Sequence, residues 1–262
     1  MIKCSYNSPT DSEEEPDFSI VAKIIDEDGI NDVVLNYRQG GSINFTTLLF
    51  SVKGDSFEVT IPKDVVSSRG VEYFITATDI FRTSTREPVS EVYSIQVSVP
   101  TPGVKKETEQ PSGSEQNAYR LISVPLDLDD KSAKAVLEDN LGQYNKKKWR
   151  LFSLRPDPSE SQPYAEYPDT LKMDPGKAFL LIVKDPGKLI DTGAGKSYRT
   201  DKPFAIPLHP RWNFAGNPFY FSIPLENLRG HLKSGNLVNK NLLDFFMFVA
   251  RLNKHEKKTI PH

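Results

Sequence analysis

Residues 70–79, Gly-Val-Glu-Tyr-Phe-Ile-Thr-Ala-Thr-Asp, carry the clearest structural pattern in the chain. Tyr73, Ile75 and Ala77 occupy every second position, so an extended backbone would place all three on one face. The stretch is also rich in β-branched and aromatic residues, which favour the pleated surface of a sheet. It therefore predicts a β-strand with a buried face.

Similar runs recur through the first hundred residues, at roughly ten-residue spacing and with turn residues between them. Lys53-Gly54-Asp55 separates two of them and predicts a hairpin. Six short strands without a helical period predict a β-sandwich over residues 16–100, whereas residues 1–15 are predicted to be a flexible N-terminus. Besides 71–78, the predicted strands are 18–25, 33–38, 45–52, 56–61 and 92–99.

The same region resembles a known class of module. The region is similar to the immunoglobulin-like or fibronectin-type-III-like modules of bacterial exported proteins. The similarity lies in Asp26-Glu27-Asp28-Gly29-Ile30, then Val34 to Arg38, then Ile61-Pro62, then residues 70–79. The resemblance covers about residues 16–100 and implies that the Tyr37-Arg38 strand faces the Glu72-Tyr73 strand in the core. Such modules serve as spacers, adhesion units and enzyme appendages, so the resemblance implies a fold and no single function.

Residues 101–118 have the composition of a linker. They mix Pro, Gly and Ser with charged residues, and Val104 is the only apolar residue between Pro100 and Ala118. A segment this polar cannot bury enough surface to fold by itself. We therefore expect two β-sandwich modules in tandem, with the second over residues 119–262.

The second module is predicted to be β-rich with one short helix. Ala133, Val136, Leu137 and Leu141 recur at helical spacing after Ser132, which with Asp130 is a candidate N-terminal cap, and Gly142 can end the helix. A C-terminal stripe within 237–252 fits either a helix or a buried strand. The predicted strands are 119–126, 149–154, 178–183, 204–208 and 212–221.

Two segments of this module echo each other. Residues 119–126, Tyr-Arg-Leu-Ile-Ser-Val-Pro-Leu, match residues 212–219, Trp-Asn-Phe-Ala-Gly-Asn-Pro-Phe, in an aromatic, a small residue and a proline. Together with Asp174 to Phe179 they resemble a β-rich module in the C-terminal regions of large exported bacterial multidomain proteins. The resemblance covers about residues 119–226 and implies no particular activity. No second-half counterpart follows Leu225, which predicts a truncated module.

Composition narrows the function classes. The net charge of −2 provides no electrostatic footprint for nucleic acid. No segment approaches the ~18 apolar residues that span a bilayer, so no membrane span is expected. The single cysteine, Cys4, excludes an intramolecular disulfide. Secretion or surface display is expected from the resemblances, with the export signal outside this chain.

Two motifs suggest ligand sites, but each departs from its pattern at positions that the ligand requires. Gly193-Ala194-Gly195-Lys196-Ser197 resembles a phosphate-binding loop, but Ile190 stands where the pattern requires glycine. Residues 127–138 hold carboxylates with calcium-loop spacing, but Lys131 occupies a ligand position and Ser132 replaces the turn glycine. The acidic loop from Asp26 to Asp32 leaves calcium binding and a solvated turn as alternatives.

Few residues in the sequence are candidates for catalysis. The four histidines lie between His209 and His262 without metal-ligand spacing, and Cys4 has no neighbouring base. We therefore predict no catalytic, cofactor or metal site, and no enzyme activity.

Aromatic residues are the remaining candidates. Trp149, Tyr164, Tyr167 and Trp212 could stack on sugar rings if they are exposed, although such residues more often build a core. Tyr164 and Tyr167 lie within the proline-rich stretch from Pro156 to Pro168 and are the best exposed candidates.

The hypothesis is therefore a pair of non-catalytic structural or interaction modules of a larger secreted or cell-surface protein. Its expected partners are other domains of the same polypeptide or cell-surface molecules, with a glycan as a further expectation. The alternative is a carbohydrate-binding accessory segment of an exported degradative enzyme.

Overall fold

The computed structural model describes residues 3–6, 11–12, 18–105, 112–159, 162–168, 171–209 and 212–229. Over these residues the protein is mainly β, of the β-sandwich type, with several antiparallel sheets and a single α-helix. The predicted fold class is thereby confirmed. Within the described ranges, no helix is long and apolar enough to cross a membrane.

Sixteen strands and one α-helix make up the described secondary structure. The strands of the N-terminal part are β1 Lys3–Tyr6, β2 Asp11–Ser12, β3 Phe18–Ile25, β4 Ile30–Gln39, β5 Thr46–Leu49, β6 Ser51–Lys53, β7 Ser56–Ile61, β8 Val71–Asp79, β9 Ser84–Glu87 and β10 Tyr93–Val99. The later elements are β11 Arg120–Ser123, β12 Asp127–Leu128, α1 Ala133–Leu141, β13 Trp149–Ser159, β14 Gln162–Glu166, β15 Ala178–Val183 and β16 Gly195–Lys196, with short 3-10 helices at Gln116–Ala118 and Leu225–Asn227.

The chain forms two compact units that are not consecutive blocks of sequence. The first contains residues up to Pro100 together with Gly195–Phe204. The second contains Thr101–Ala194 together with the residues from Ala205 onward. The backbone thus leaves the first unit at residue 100, builds most of the second, and returns for ten residues.

The first unit is two sheets around one apolar core. One sheet has the strand order β1-β3-β7-β6, and the other includes the order β16-β10-β8-β4-β5, with β9 on β8 and β2 on β10. Alternation decides which side chains are buried: along β3 every second residue, beginning at Phe18, is buried. The core comprises Phe18, Ile20, Ala22, Ile24, Val33, Leu35, Tyr37, Val59, Ile61, Val71, Tyr73, Ile75, Ala77, Ile95 and Val97.

Strands β4 and β8 are the long central pair. Their register places Tyr37 opposite Tyr73, both buried, and Arg38 opposite Glu72. The Arg38 Nε donates to Glu72 Oε2 at 2.6 Å, so the nearly buried carboxylate is paired. The Tyr-Arg and Glu-Tyr strands therefore meet as neighbours in one sheet, and their tyrosines enter the same core.

The predicted strand over residues 45–52 is two strands. β5 pairs with β4, whereas β6 pairs with β7 in the other sheet. The N–H of Phe50 donates to Val33 O at the break. The predicted hairpin is present: Lys53 is opposite Ser56, and Gly54 has a φ of 64°, which a type II′ turn requires at its first loop position.

The second unit contains a four-stranded sheet and the predicted helix. The sheet order is β11-β15-β13-β14, all antiparallel. Helix α1 begins after Ser132, whose Oγ accepts the N–H of Ala135 at 3.1 Å, and ends at Gly142 with a φ of 78°. The four residues predicted for its apolar face are all buried. The predicted caps and face of this helix are confirmed.

Part of the polar segment 101–118 is tied into the second unit. Val104 is buried, its N–H donates to Thr192 Oγ1 at 3.0 Å, and the N–H of Thr192 donates to Val104 O. Gly103 is packed so closely that an added Cβ would lie 1.9 Å from Gly193 O. Val104 therefore attaches the start of this segment to the second unit.

The predicted strands at 204–208 and 212–221 are absent from the structure. Within these segments the described residues make isolated bridges at Ala215 and Gly216, and the partner of Ala215 is Lys177. Hydrogen bonds from Ala178 N–H to Phe214 O and from Gly216 N–H to Gly176 O lie at the same place. Prolines at 203, 207 and 218 have no N–H for a sheet ladder, which explains the difference. The stripe at 237–252, for which a helix and a buried strand are the alternatives, lies outside the described residues.

Candidate functional site

The four aromatic candidates of the second unit divide into two groups. Trp149 and Tyr167 are buried, with exposures of 2% and 7%, whereas Tyr164 and Trp212 are exposed, at 44% and 67%. The buried pair is stacked with ring centroids 5.5 Å apart, and Tyr144 lies edge-on to both rings at 5.0 Å. These three rings form part of the core.

The polar atoms of two of these rings form hydrogen bonds with helix α1 and with the residue that follows it. Tyr167 Oη donates to Glu138 Oε1 at 2.9 Å, and Trp149 Nε1 donates to the Gly142 carbonyl at 3.0 Å. Burial, together with the bond to Glu138, raises the pKa of Tyr167 to about 12. The cluster therefore joins α1 to the sheet.

The alternation of β13 explains why its aromatics separate. Trp149 and Leu151 point to the buried face, so Arg150 and Phe152 point to the opposite one. Phe152 is opposite Glu166, and Leu154 is opposite Tyr164. We call the side of the sheet that carries Arg150, Phe152, Tyr164 and Glu166 its outer face.

Four rings follow one another across the outer face. The centroid distances are 6.0 Å from Tyr119 to Phe152, 6.4 Å from Phe152 to Tyr164 and 6.2 Å from Tyr164 to Phe214. The last two rings are within 26° of parallel. We call these four residues the aromatic row; Tyr164 is exposed and the others are half-buried.

Trp212 lies close to the end of the aromatic row. It is two residues before Phe214, so their Cα atoms are at most about 7 Å apart. Asn213 fixes the backbone between them, because its side chain accepts the N–H of His209 and donates to the His209 carbonyl. The backbone that carries the exposed Trp212 is thus held close to Phe214.

Glu166 is the carboxylate of the outer face. It accepts a two-pronged bond from Arg150, with Nε to Oε1 at 2.7 Å and Nη2 to Oε2 at 3.0 Å, and a third bond from Tyr144 Oη at 2.7 Å. The Arg150 guanidinium is the main cause that lowers the pKa of Glu166 to about 2. Burial and the bond to this anion raise the pKa of Tyr144. Glu166 is therefore ionised at neutral pH and fixed in position.

The glycine-rich sequence 193–197 forms a turn and a strand. Gly193 has a φ of 74°, and β16 pairs with β10. Ser197 is buried; its N–H donates to Val97 O and its Oγ accepts the N–H of Val97 at 2.8 Å. A phosphate-binding loop would use this serine to contact its ligand, whereas Ser197 here bonds to Val97 of β10.

Three carboxylates of the calcium-like segment have partners within the protein. Asp127 lies 2.6 Å from Lys131 Nζ, Asp130 accepts the N–H of Ser132, and Glu138 accepts Tyr167 Oη. The Ser132 N–H is the main cause that lowers the pKa of Asp130. These contacts are those of residues at the N-terminus of a helix, in agreement with the helix predicted to begin after Ser132.

The acidic loop before β4 makes local bonds. Asp26 Oδ1 accepts the N–H of Asp28, and Asp32 Oδ2 accepts the side-chain amide of Asn31. In the part of the chain that the structure describes, no group of three His, Cys, Asp or Glu side chains could hold a metal ion. His231, His255, His262 and the Cys4 side chain lie outside that part.

Sequence reasoning missed Phe214 and Tyr119 as members of the aromatic row. Alternation could have separated Phe152 from Trp149, because they are three positions apart in one strand. Contacts between distant segments, such as the Ala178 N–H to Phe214 O bond, bring Phe214 to the row, and no local pattern encodes them.

The chain matches no protein-family model, and no curated protein is significantly similar to it in sequence.

Proposed function

We propose that this chain is a non-catalytic pair of structural or interaction modules of a larger secreted or cell-surface protein, and that its first unit is immunoglobulin-like. The observation that carries the proposal is a strand order. The sheets β1-β3-β7-β6 and β10-β8-β4-β5 correspond, strand for strand, to the A-B-E-D and G-F-C-C′ orders of immunoglobulin-type sandwiches. Modules with this architecture are common on cell surfaces.

The bonding of Glu166 supports a non-catalytic role for the second unit. A general acid must hold its proton near the working pH, whereas the Arg150 and Tyr144 bonds lower the pKa of Glu166 to about 2. The same contacts tie the turn before β13 to β14. The Glu166 carboxylate therefore has a structural role in this proposal.

Immunoblotting of fractionated cells tests the proposal. An antibody raised against the chain should detect a polypeptide longer than 262 residues in the surface or culture-medium fraction of cells that express its gene. A product of this length confined to the cytosol would contradict both the export and the larger context.

Carbohydrate binding, as an accessory segment of an exported degradative enzyme, is the second candidate. The aromatic row and the exposed Trp212 favour it, because sugar rings stack on aromatic faces. Affinity electrophoresis through polysaccharide gels tests it. Retardation that Tyr164→Ala and Trp212→Ala abolish would support this candidate, and unretarded wild-type protein in every gel would exclude it.

A further inference from the structure

The outer face of the second unit's sheet joins its aromatic row to a group of cations. Lys146, Lys147 and Lys148 are consecutive and exposed in the turn that leads into β13. The N–H of Lys184 donates to Lys148 O at 2.7 Å, which continues the pairing of Trp149 with Val183 by one position. We call these four lysines the basic edge.

The register places the basic edge beside the aromatic row. Trp149 and Val183 point to the buried face, so their neighbours Lys148 and Lys184 occupy outer-face positions, as Arg150 does. Lys146 Nζ is 3.5 Å from Glu166 Oε2, and the Arg150 guanidinium lies 4.7 Å from the Phe152 ring centroid. Phe152 is the second ring of the row, so cations and rings adjoin.

The basic edge has an excess of positive charge. Arg150 and Lys146 share one carboxylate, that of Glu166. Among the described residues, no ion pair involves Lys147, Lys148 or Lys184. The exposed Asp185 directly follows Lys184 in the chain. Like charges at opposite strand positions are destabilising, so Lys148 and Lys184 carry a cost that an anionic ligand would offset.

We propose that the outer face binds an anionic polysaccharide, with sugar rings on the aromatic row and the carboxylate or sulfate groups on the basic edge. The proposal rests on the carbohydrate-binding candidate and specifies its ligand class. Single-stranded nucleic acid also combines planar rings with anions. The net charge of −2 disfavours it, because nucleic-acid binders depend on a broad basic surface.

Pectin supplies a matched pair of probes for the full chain. De-esterified and fully methyl-esterified polygalacturonate share one backbone and differ in charge. We expect calorimetry to give at least about tenfold tighter binding to the de-esterified polymer, with the difference shrinking as salt rises. Chondroitin and chondroitin sulfate separate sulfate from carboxylate recognition.

Two triple variants with the same change in net charge provide the control. The variant K147Q/K148Q/K184Q should lose about tenfold in affinity for the de-esterified polymer. The variant K63Q/K134Q/K202Q removes three exposed lysines elsewhere and should bind as the wild type does. Tyr164→Ala should weaken binding to both pectins.

The outcomes separate this inference from the candidate function on which it rests. Equal, Tyr164-dependent binding of both pectins would overturn the anionic preference and leave carbohydrate binding intact. Absence of binding to every polysaccharide would overturn both. Equal losses in the two triple variants, or tighter binding of an oligothymidine than of any polysaccharide, would also overturn the inference.

Discussion

Gly216 lies directly against Ser123: a Cβ added to Gly216 would be 2.3 Å from the Ser123 Cβ and 2.6 Å from the Lys177 carbonyl oxygen. The two residues hold corresponding positions in the segments that echo each other in sequence, residues 119–126 and 212–219. The similar segments are therefore packed together at their small residues. A small side chain at each position permits this contact.

Gly216→Ala should destabilise the second unit by about 1–3 kcal/mol, because overpacking forces neighbours to shift. Urea denaturation measures the loss. Ser123→Gly in the same chain should recover part of it, since one of the two close contacts disappears. Additive losses in the double variant would argue against direct contact between the two positions.

Glu166→Gln should cost on the order of 2 kcal/mol at neutral pH, because the Arg150 and Tyr144 bonds favour the ionised carboxylate. The pKa of Glu166 is lowered from 4.5 to about 2, so its contribution is complete above pH 4.5 and is lost as the pH falls toward 2. The gap between wild type and variant should close over that window in denaturation experiments. Glu58→Gln breaks an exposed pair with Lys53 and should cost no more than about 1 kcal/mol.

Ser197→Ala should cost about 1–3 kcal/mol, because the N–H of Val97 would lose its acceptor in a buried position. Hydrogen exchange should accelerate at Val97 in β10. Lys196→Ala, at the adjacent half-buried position, is the control and should leave that exchange rate unchanged. Tight nucleotide binding lost in both variants would instead restore the phosphate-loop interpretation.

The two tryptophans should report different surroundings. Trp149 is 2% exposed and Trp212 is 67% exposed. Trp212→Phe should therefore leave a blue-shifted emission that acrylamide quenches weakly, and the lost component should be red-shifted and readily quenched. Strong quenching of the remaining emission would mean that Trp149 is not in the core.

Ser132→Ala should destabilise the second unit by about 1 kcal/mol, because the N–H of Ala135 loses its cap at the start of α1. Ser132→Asp restores an acceptor and should retain nearly all of the stability. Thermal denaturation compares the variants. Equal melting temperatures for Ala and Asp would show that the cap contributes nothing.

The sequence pattern was sufficient to predict those strands and helix ends that depend on neighbouring residues alone. β3, β7 and β15 have the bounds that their apolar runs predict, and Ser132 and Gly142 mark the helix ends. The break at Phe50 was not predictable in this way, because residues 45–52 contain no glycine or proline to mark the point where the chain passes from one sheet to the other.

The candidate site was predictable only in part. Tyr164 and Trp212 are exposed, but Trp149 and Tyr167 are buried. An aromatic side chain suits both a core and a binding face, and the choice depends on which way the strand presents it. Phe214 has no strand periodicity at all, because it reaches the row through contacts between distant segments.

The return of Gly195–Phe204 to the first unit sets an order of events during synthesis. Residues up to Pro100 can collapse as they leave the ribosome, but the bonds between Ser197 and Val97 cannot form until nearly a hundred further residues are made. The whole of Thr101–Ala194 emerges in that interval. A gene cut at the polar segment 101–118 would therefore yield a first half in which β10 keeps its pairing with β8 but lacks its pairing with β16. A gene that extends through Phe204 would supply the missing strand.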